Sequence, residues 1–264
     1  MNAANVSELA TVPADALSSA ARSRLLSRPR EPLFIADWER LLMIHFEIDA
    51  DELQPDIPFQ LDLRDGRAFV SLVAFAMHGM KPCFGGKLSE WLLRPIASHD
   101  FLNLRTYVRH GNETGIYFLT EWLSNRLAVK LGPKTFGLPY RHGQIVYQHE
   151  RKENLLRGRI IEPKTHAALE YEGKLPQPAE FVPSEVGSLT EWMMERYTAF
   201  TCHKNTRRFF RIWHRPWPQC EVDVTITDDS LIRKNFRWFE NAKFIGANFS
   251  PGAKDVWMGW PHRI

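Results

Sequence analysis

The chain has 264 residues, of which 44% are hydrophobic and 25% are charged. This composition is typical of a folded globular protein and excludes collagen, a coiled coil or a largely disordered chain. Its 34 lysines and arginines and 31 acidic residues leave a formal charge of only +3. Because the basic residues are scattered, we expect no nucleic-acid partner. The longest uncharged apolar run, Ala68 to Met77, is too short to cross a bilayer as a helix, so we expect no membrane partner.

Cysteine usage and the N-terminal sequence bear on the compartment. Cys83, Cys202 and Cys220 are few, odd in number and far apart, which favours reduced thiols in a reducing compartment. Residues 1–30 lack the continuous apolar stretch of a secretory signal. We therefore expect a cytoplasmic protein in which residues 1–30 form an extended or partly helical, solvated arm and residues 31–264 form a single domain.

From residue 33 onward the sequence has the spacing of a β protein, with short apolar or alternating runs separated by turn residues. Asp65-Gly66, between two such runs, is a strong signal for a β-hairpin. The predicted strands are 40–48, 60–64, 67–77, 103–109, 115–122, 143–149, 155–161, 166–172, 209–214, 221–227 and 246–250. So many strands predict a mainly β, antiparallel barrel or sandwich with a few short helices.

The strongest helix signal lies at residues 189–201. Ser188 and Glu191 have the spacing of an N-terminal capping box, and apolar residues recur after them at intervals of three and four. Helices are expected to be the minority. Shorter helical turns are predicted at residues 50–54, 88–96 and 130–136.

The segment from Asn103 to Arg109 is the most informative strand for function. Because side chains alternate along a strand, Asn103, Arg105, Tyr107 and Arg109 share one face. This polar face meets water if the strand is exposed, and lines a polar cavity if the strand belongs to a closed barrel. In the second case the guanidinium, flanked by an amide and a phenol, binds a carboxylate or a carbonyl. Asn103, Arg105 and Tyr107 are therefore the predicted ligand-binding residues, with Arg105 buried and paired, when no ligand is bound, with a carboxylate such as Glu121.

Common catalytic motifs are missing from the sequence. It contains no G-x-S-x-G elbow, Walker loop, Rossmann glycine fingerprint or H-E-x-x-H motif. The histidine pairs lack the tight spacing of metal ligands, so we expect neither a metal site nor a cofactor. Nothing in these patterns names a reaction.

Several segments, in their order and spacing, resemble the YqjF-like family. They are Asp37-Trp38-Glu39-Arg40-Leu41-Leu42, Leu61-Asp62-Leu63-Arg64-Asp65-Gly66-Arg67-Ala68, Ser71-Leu72-Val73-Ala74-Phe75, Asn103-Leu104-Arg105-Thr106-Tyr107-Val108, Gly115-Ile116-Tyr117-Phe118, Gly137-Leu138-Pro139-Tyr140 and Phe249-Ser250-Pro251-Gly252. This family is placed in the acetoacetate decarboxylase-like superfamily. The resemblance covers most of residues 33–264 and implies an antiparallel β-cone or barrel around a central cavity, while most members of the family have no assigned activity.

The resemblance also implies where a catalytic lysine would lie. Acetoacetate decarboxylases have two lysines directly after a proline, and one of them forms a Schiff base with the substrate. The similar stretch here is Leu138-Pro139-Tyr140-Arg141, and a tyrosine cannot form an imine. Lys130 and Lys134 lie just upstream, but we expect them to be exposed helix lysines. We therefore predict that the protein is not an imine-type decarboxylase.

Three functions are open at this point. The first is a protein that binds a small anionic or carbonyl-bearing organic ligand in its barrel cavity. The second is a non-imine lyase or isomerase acting on a keto acid or a related small molecule, in which Tyr140 or Glu121 supplies a proton and Arg105 or Arg141 stabilises an enolate. The third is a protein-interaction module with a filled barrel. The sequence leaves both the ligand and the formation of a homo-oligomer undetermined.

Overall fold

A computed structural model describes residues 14–150 and 153–264 of the chain. Its strands are β1 (Phe34–Ile48), β2 (Gln60–Leu61), β3 (Ala68–Pro82), β4 (His99–His110), β5 (Glu113–Leu123), β6 (Tyr140–His142), β7 (Gln144–Glu150), β8 (Leu155–Ile161), β9 (Ala168–Lys174), β10 (Thr198–His203), β11 (Thr206–Trp213), β12 (Cys220–Glu221), β13 (Asp223–Asp228), β14 (Lys243–Met258) and β15 (His262–Arg263). Its helices are α1 (Ala14–Leu26), α2 (Ala50–Leu53), α3 (Gly86–Leu93), α4 (Arg126–Thr135), α5 (Leu189–Met194) and α6 (Ser230–Arg233), with 3₁₀ turns at Gln54–Asp56, Arg94–Ile96 and Arg237–Asn241. Strands predominate, which confirms the prediction of a mainly β protein.

Seven of these strands form a closed barrel. Their order is β14-β1-β3-β4-β5-β10-β11, and β11 pairs with β14 to complete the ring. Neighbouring strands of the ring are antiparallel except β5 and β10, which run parallel. The short strands β2, β6, β12 and β15 extend the sheet beside β4, β5, β14 and β11. Because the ring is closed, one face of every strand points into an enclosed interior.

A second sheet packs against the outside of the barrel. It is antiparallel, with the order β13-β9-β8-β7. Leu156 and Leu169 of this sheet belong to the same hydrophobic cluster as Leu42 of β1. Leu41 and Met43, the neighbours of Leu42, belong instead to a second cluster inside the barrel. The alternation of side chains along β1 therefore divides the core into an inner and an outer layer.

The helix predicted for residues 189–201 is wrong in its second half. α5 ends at Met194, and the chain then enters β10, which pairs with β11. Lys204 and Asn205 join these strands with φ of 48° and 62°, a left-handed two-residue turn that suits asparagine. The β-branched and aromatic residues of β10 fit a strand, and Phe200 is buried there. Hairpin pairing therefore overrides the helical spacing.

The predicted turn at Asp65-Gly66 is present, but the strands that flank it do not pair as a hairpin. Arg64 and Arg67 exchange two backbone hydrogen bonds of 3.0 Å around the turn. Beyond this single bridge the chain that precedes the turn leaves β3, and β2 pairs with β4 instead. This pairing places Asp62 next to β4.

The N-terminal helix α1 packs against the barrel. Ser18, Ala21 and Leu25 are buried, and the Ser18 hydroxyl donates a 2.7 Å hydrogen bond to the carbonyl of His214. The prediction of a solvated arm is therefore wrong for this helix, because its buried face consists of small residues and one leucine, which give little apolar signal. Residues 1–13 of the predicted arm lie outside the described residues. None of the helices in the described part of the chain is long and apolar enough to cross a membrane.

Candidate functional site

The polar face of β4 points into the barrel at Asn103, Arg105 and Tyr107. The prediction is wrong for Arg109, which lies at the end of the strand, is 48% exposed and lies 3.8 Å from Asp62. Asn103, Arg105 and Tyr107 have exposed fractions of 6%, 6% and 1%. Asn103 and Arg105 line an internal cavity of about 20 Å³. The rest of the wall is mostly apolar and includes Met43 and Met194. The predicted burial of Arg105 is therefore confirmed.

The guanidinium of Arg105 has few partners. Its Nη2 donates a 3.2 Å hydrogen bond to the carbonyl of Met193 and lies 3.6 Å from the Sδ of Met43. Its Nε is shielded from solvent and has no hydrogen-bond partner among the described residues. No salt bridge to Arg105 is present within residues 14–150 and 153–264. A buried cation with so little compensation is costly for the fold.

The expected ion pair between Arg105 and Glu121 is not formed. The register of β4 and β5 sets Glu121 opposite Asn103, and an irregularity two residues along sets Phe118 opposite Arg105. Strand pairing therefore separates the two charged groups, because partners across a sheet are closer than diagonal neighbours. The pKa of Glu121 is raised by burial, and no cation lowers it.

Tyr107 is bonded to protein groups rather than presented to a ligand. Its hydroxyl lies 2.6 Å from the Ser71 hydroxyl, which lies 2.7 Å from Nδ1 of His45. Burial and the nearby Arg105 charge lower the pKa of His45 to about 3, so its ring is neutral at ordinary pH. Sequence reasoning missed His45 and Ser71, although both lie at inward-facing positions of the alternation along β1 and β3.

Glu121 and Tyr140, two of the predicted catalytic residues, lie together. β6 pairs in parallel with β5 and sets Tyr140 beside Glu121. Burial raises the pKa of the Glu121 carboxyl to about 8. Burial and the adjacent Glu121 also raise the pKa of Tyr140 well above its usual value. Glu121 is therefore protonated at neutral pH and able to donate a proton. The raised pKa of Tyr140 makes its hydroxyl a weaker acid than that of an ordinary tyrosine.

Arg141, the third predicted catalytic residue, lies on the other face of β6. Its Nη1 donates hydrogen bonds to Glu162 over 3.2 Å and to Asn235 over 2.6 Å. The side chain is 45% exposed. Neighbouring residues of a strand point to opposite faces, so the fold that places Tyr140 beside Glu121 turns Arg141 towards the solvent.

The lysines are all exposed in the part of the chain that the structure describes. Lys130 and Lys134 lie on the exposed surface of α4, as the sequence predicted. No lysine among the described residues is therefore buried in the barrel.

Two buried histidines, His149 and His214, are hydrogen-bonded to protein groups. Burial lowers the pKa of His149 and His214 to about 4, and each ring makes hydrogen bonds to protein groups. Among the described residues, no group of three or more histidine, cysteine, aspartate and glutamate side chains is placed to hold a metal ion.

A larger cleft of about 310 Å³ lies outside the barrel interior, between α1, α5 and the ends of β5 and β11. Arg196 lines both this cleft and the internal cavity. Its Nη1 donates a 2.8 Å hydrogen bond to Asp62, and its guanidinium lies 4.1 Å from the Trp192 ring. Sequence reasoning missed Arg196 and Asp62 as a pair, since 134 positions separate them and no local pattern joins them.

The closed barrel with its second sheet is the fold of the acetoacetate decarboxylase-like proteins. An acetoacetate decarboxylase-like enzyme from Sphingomonas wittichii RW1 superposes with a TM-score of 0.62 at 13% identity, over 89% of this chain and 94% of that chain. Acetoacetate decarboxylase from Legionella pneumophila gives 0.57 at 13% identity, over 92% and 95%. The enduracididine biosynthesis enzyme MppR, complexed with pyruvate, gives 0.59 at 10% identity, over 89% and 91%. At these identities the likeness establishes the fold alone.

The chain belongs to the DUF2071 family, described as an uncharacterized conserved protein, whose model matches residues 35–245. It is 31% identical over 210 residues to the uncharacterized protein YqjF of Bacillus subtilis (strain 168). The aligned region covers 72% of this chain and 78% of that protein. The resemblance to the YqjF-like family is therefore confirmed. Neither description states a reaction, so the function has to be argued from the site.

Proposed function

We propose that the barrel interior binds a small anionic or carbonyl-bearing organic molecule, anchored by Arg105 and Asn103. The observation that carries this proposal is the buried Nε of Arg105, which has no partner among the described residues. The Oδ1 of Asn103 on the same cavity wall is also without a partner in this part of the chain. An unpaired buried polar group costs about 1–3 kcal/mol. A carboxylate or carbonyl oxygen of the ligand accepts a hydrogen bond from Nε of Arg105 and recovers that part of the cost. The Oδ1 of Asn103 instead requires an O–H or N–H donor.

Charge balance also favours an anion. Glu195 is a buried carboxyl near enough to Arg105 for the cation to lower its pKa, but burial is the larger effect and the net result is a pKa raised to about 7. Its oxygens accept hydrogen bonds from the Tyr197 hydroxyl and from the backbone N–H of Trp217. Glu195 therefore compensates Arg105 only in part, and a bound carboxylate would complete the compensation.

The size of the cavity defines how the ligand is accommodated. A volume of about 20 Å³ holds little more than a water-sized group. A molecule the size of pyruvate, which is bound in the structure of the fold relative MppR, requires wall side chains to move. Met43 and Met194 can do so because methionine is flexible and packs in several ways. If the protein is instead an interaction module with a filled barrel, these side chains do not move and no ligand binds.

Pyruvate, acetate and acetoacetate are suitable probes for this site. We expect at least one of them to bind at millimolar concentration by ligand-observed NMR, with affinity about tenfold or more weaker in Arg105→Met. Asn103→Asp is a second, nearly isosteric variant. It supplies a carboxylate beside Arg105 that competes with the carboxylate of the ligand, so this variant should also bind the ligand more weakly than the wild type. Arg157→Met, at an exposed ion pair with Glu172, is the matched control and should bind like the wild type.

Two outcomes count against this proposal. The first is that none of the three acids binds the wild-type protein, which favours a filled barrel. The second is that folded Asn103→Asp binds the probe as tightly as the wild type, which places the ligand elsewhere. Thermal unfolding of each variant identifies those that fail to fold.

A non-imine lyase or isomerase is the second candidate function, and the raised pKa of Glu121 favours it. A carboxyl with a pKa of about 8 is a suitable proton donor near neutral pH. If the interior forms an enolate, the methyl protons of pyruvate will exchange with D₂O faster than in buffer, and Glu121→Gln will abolish the exchange. Glu170→Gln, on the exposed second sheet, is the control. Binding without exchange supports a binding protein.

We also infer a cytoplasmic location. No disulfide joins the cysteines of the described residues, as is usual in a reducing compartment. Cell fractionation with a tagged form of the protein tests this location. Recovery of the protein outside the cytoplasmic fraction would contradict it.

A further inference from the structure

The cleft beneath α1 has a mixed charge and an apolar side. Four arginines and four acidic residues contribute to its wall, together with Leu17 and Ala21 of α1 and the ring of Trp192. Its volume of about 310 Å³ is at the lower end of the range for small-molecule sites. Arg105 and Asn103, the residues proposed to bind a ligand inside the barrel, are not part of this wall.

Several charges of the cleft neutralise one another. Asp62 accepts a hydrogen bond from Arg196 over 2.8 Å. Glu113 lies 3.5 Å from Arg24 and 3.7 Å from Arg211. The other two acidic residues of the wall form no ion pair among the described residues. Glu195 accepts hydrogen bonds from the Tyr197 hydroxyl and the Trp217 N–H, and Oε2 of Glu191 accepts a 2.6 Å hydrogen bond from the backbone N–H of Gly187.

Two buried side chains of the wall each keep one polar atom without a partner. Glu191 is 6% exposed, and its Oε1 has no hydrogen-bond donor in the described part of the chain. Arg196 is 8% exposed, and its Nη2 has no acceptor there, although its Nε and Nη1 are bonded. One atom requires a donor and the other an acceptor. The two requirements are opposite in sign and occur in one cleft.

From this juxtaposition we propose that the cleft is a second ligand site, for a small zwitterion of the amino-acid class. Its ammonium group binds Glu191, its carboxylate binds Arg196, and its apolar portion lies against Leu17, Ala21 and Trp192. A simple anion satisfies only the guanidinium and meets the surrounding carboxylates, while a simple cation satisfies only Glu191. A molecule with both groups satisfies both atoms.

Ligand-observed NMR with the twenty common amino acids at millimolar concentration tests the proposal. We expect at least one amino acid to bind, and its analogues without the amino group or without the carboxylate to bind about tenfold or more weakly. For leucine these analogues are 4-methylpentanoate and 3-methylbutylamine. Glu191→Gln, which keeps the hydrogen-bond acceptor but removes the charge, should weaken binding to a similar extent. Arg211→Met, whose Nε is also unpartnered among the described residues, is a second variant if Glu191→Gln fails to fold.

Arg105→Met separates this site from the barrel interior. Amino-acid binding that persists in Arg105→Met and is weakened in Glu191→Gln supports the cleft site, whatever the outcome with pyruvate. Binding that is lost in Arg105→Met and unchanged in Glu191→Gln belongs to the barrel interior and overturns the inference. Absence of binding by all twenty amino acids, or equal binding of a single-charge analogue, overturns it as well.

Discussion

Arg196 and Asp62 form a buried ion pair of 2.8 Å across 134 positions of the chain. Both side chains are less than a tenth exposed. Asp62 reaches this position because β2 pairs with β4, and Arg196 because α5 ends and the chain turns into β10. The pair therefore joins two segments that have no local relation, and its arginine lines both the surface cleft and the internal cavity.

Removing the charge of Asp62 should destabilise the protein strongly. Asp62→Asn leaves the buried Arg196 guanidinium without its counter-ion, and breaking a buried pair in this way costs about 3–5 kcal/mol. Chemical denaturation measures the loss as a lower midpoint. Asp65→Asn, three positions along in an exposed turn with φ of 53°, is the control and should have little effect because asparagine is favoured there. An equal, small effect of both substitutions would mean that the pair contributes little.

The stabilising contribution of protonated Glu121 should decline as the pH rises above about 4.5. The pKa of this carboxyl is 4.5 in the unfolded chain and about 8 when it is buried. Between these values the unfolded chain releases the proton and the folded protein keeps it, so rising pH favours unfolding. The stabilisation is complete below the lower value and is lost as the pH approaches the higher one.

Glu121→Gln isolates this contribution, because glutamine does not ionise. The free energy of unfolding of this variant relative to that of the wild type should rise between pH about 5 and about 8, as measured by urea denaturation at several pH values. Glu170→Gln, at an exposed ion pair, should follow the wild type. Parallel curves for Glu121→Gln and the wild type would contradict the protonated state of Glu121.

His149 should be neutral, with its proton on Nδ1, from mildly acid to neutral pH. Its Nδ1 lies 2.9 Å from the carbonyl of Arg40, which can only accept, so Nε2 accepts the hydrogen bond from the Tyr171 hydroxyl at 2.8 Å. Burial lowers the pKa of His149 to about 4. Nitrogen–proton correlation spectra should show the Nδ1–H tautomer and no titration above about pH 5.5.

Tyr171→Phe removes the hydroxyl that donates a hydrogen bond to Nε2 of that ring. It should cost about 1–3 kcal/mol, since Nε2 of His149 is then left buried and unpaired. Tyr197→Phe also removes a hydroxyl donor from a buried acceptor, in this case Glu195, and gives a second measurement of the same kind of loss. A His149 ring that titrates near its unperturbed value would contradict the assignment.

Borohydride added with acetoacetate should leave the mass of the protein unchanged. Reduction traps an imine only if a neutral lysine has attacked the keto group, and an ordinary lysine with a pKa of roughly 10.4 is almost wholly protonated at neutral pH. Tyr140 occupies the position where the resemblance to decarboxylases would place a lysine, and the described lysines are exposed. Intact-mass spectrometry with and without the keto acid gives the readout. A stable adduct on any lysine would show that the imine mechanism is available.

The polar face of β4 illustrates how far local patterns reach. Alternation along the strand predicts that Asn103, Arg105 and Tyr107 share a face, and their burial follows once the sheet closes. The partners of these residues do not follow, because the register with β5 sets Phe118 opposite Arg105. Likewise, a capping box correctly marks the start of α5, whereas the end of the helix depends on the pairing of β10 with β11.

By itself the sequence determined the mainly β class and the alternation that sets Asn103, Arg105 and Tyr107 on one face of β4. These features depend on residue identity and on the two-residue period of a strand. Only the tertiary structure decided that the internal cavity has about 20 Å³, that a cleft of about 310 Å³ lies beneath α1, and that Arg196 meets Asp62. The reason is that barrel closure and long-range packing bring together residues more than a hundred positions apart. The local periodicity of the sequence does not predict which of these residues will be in contact.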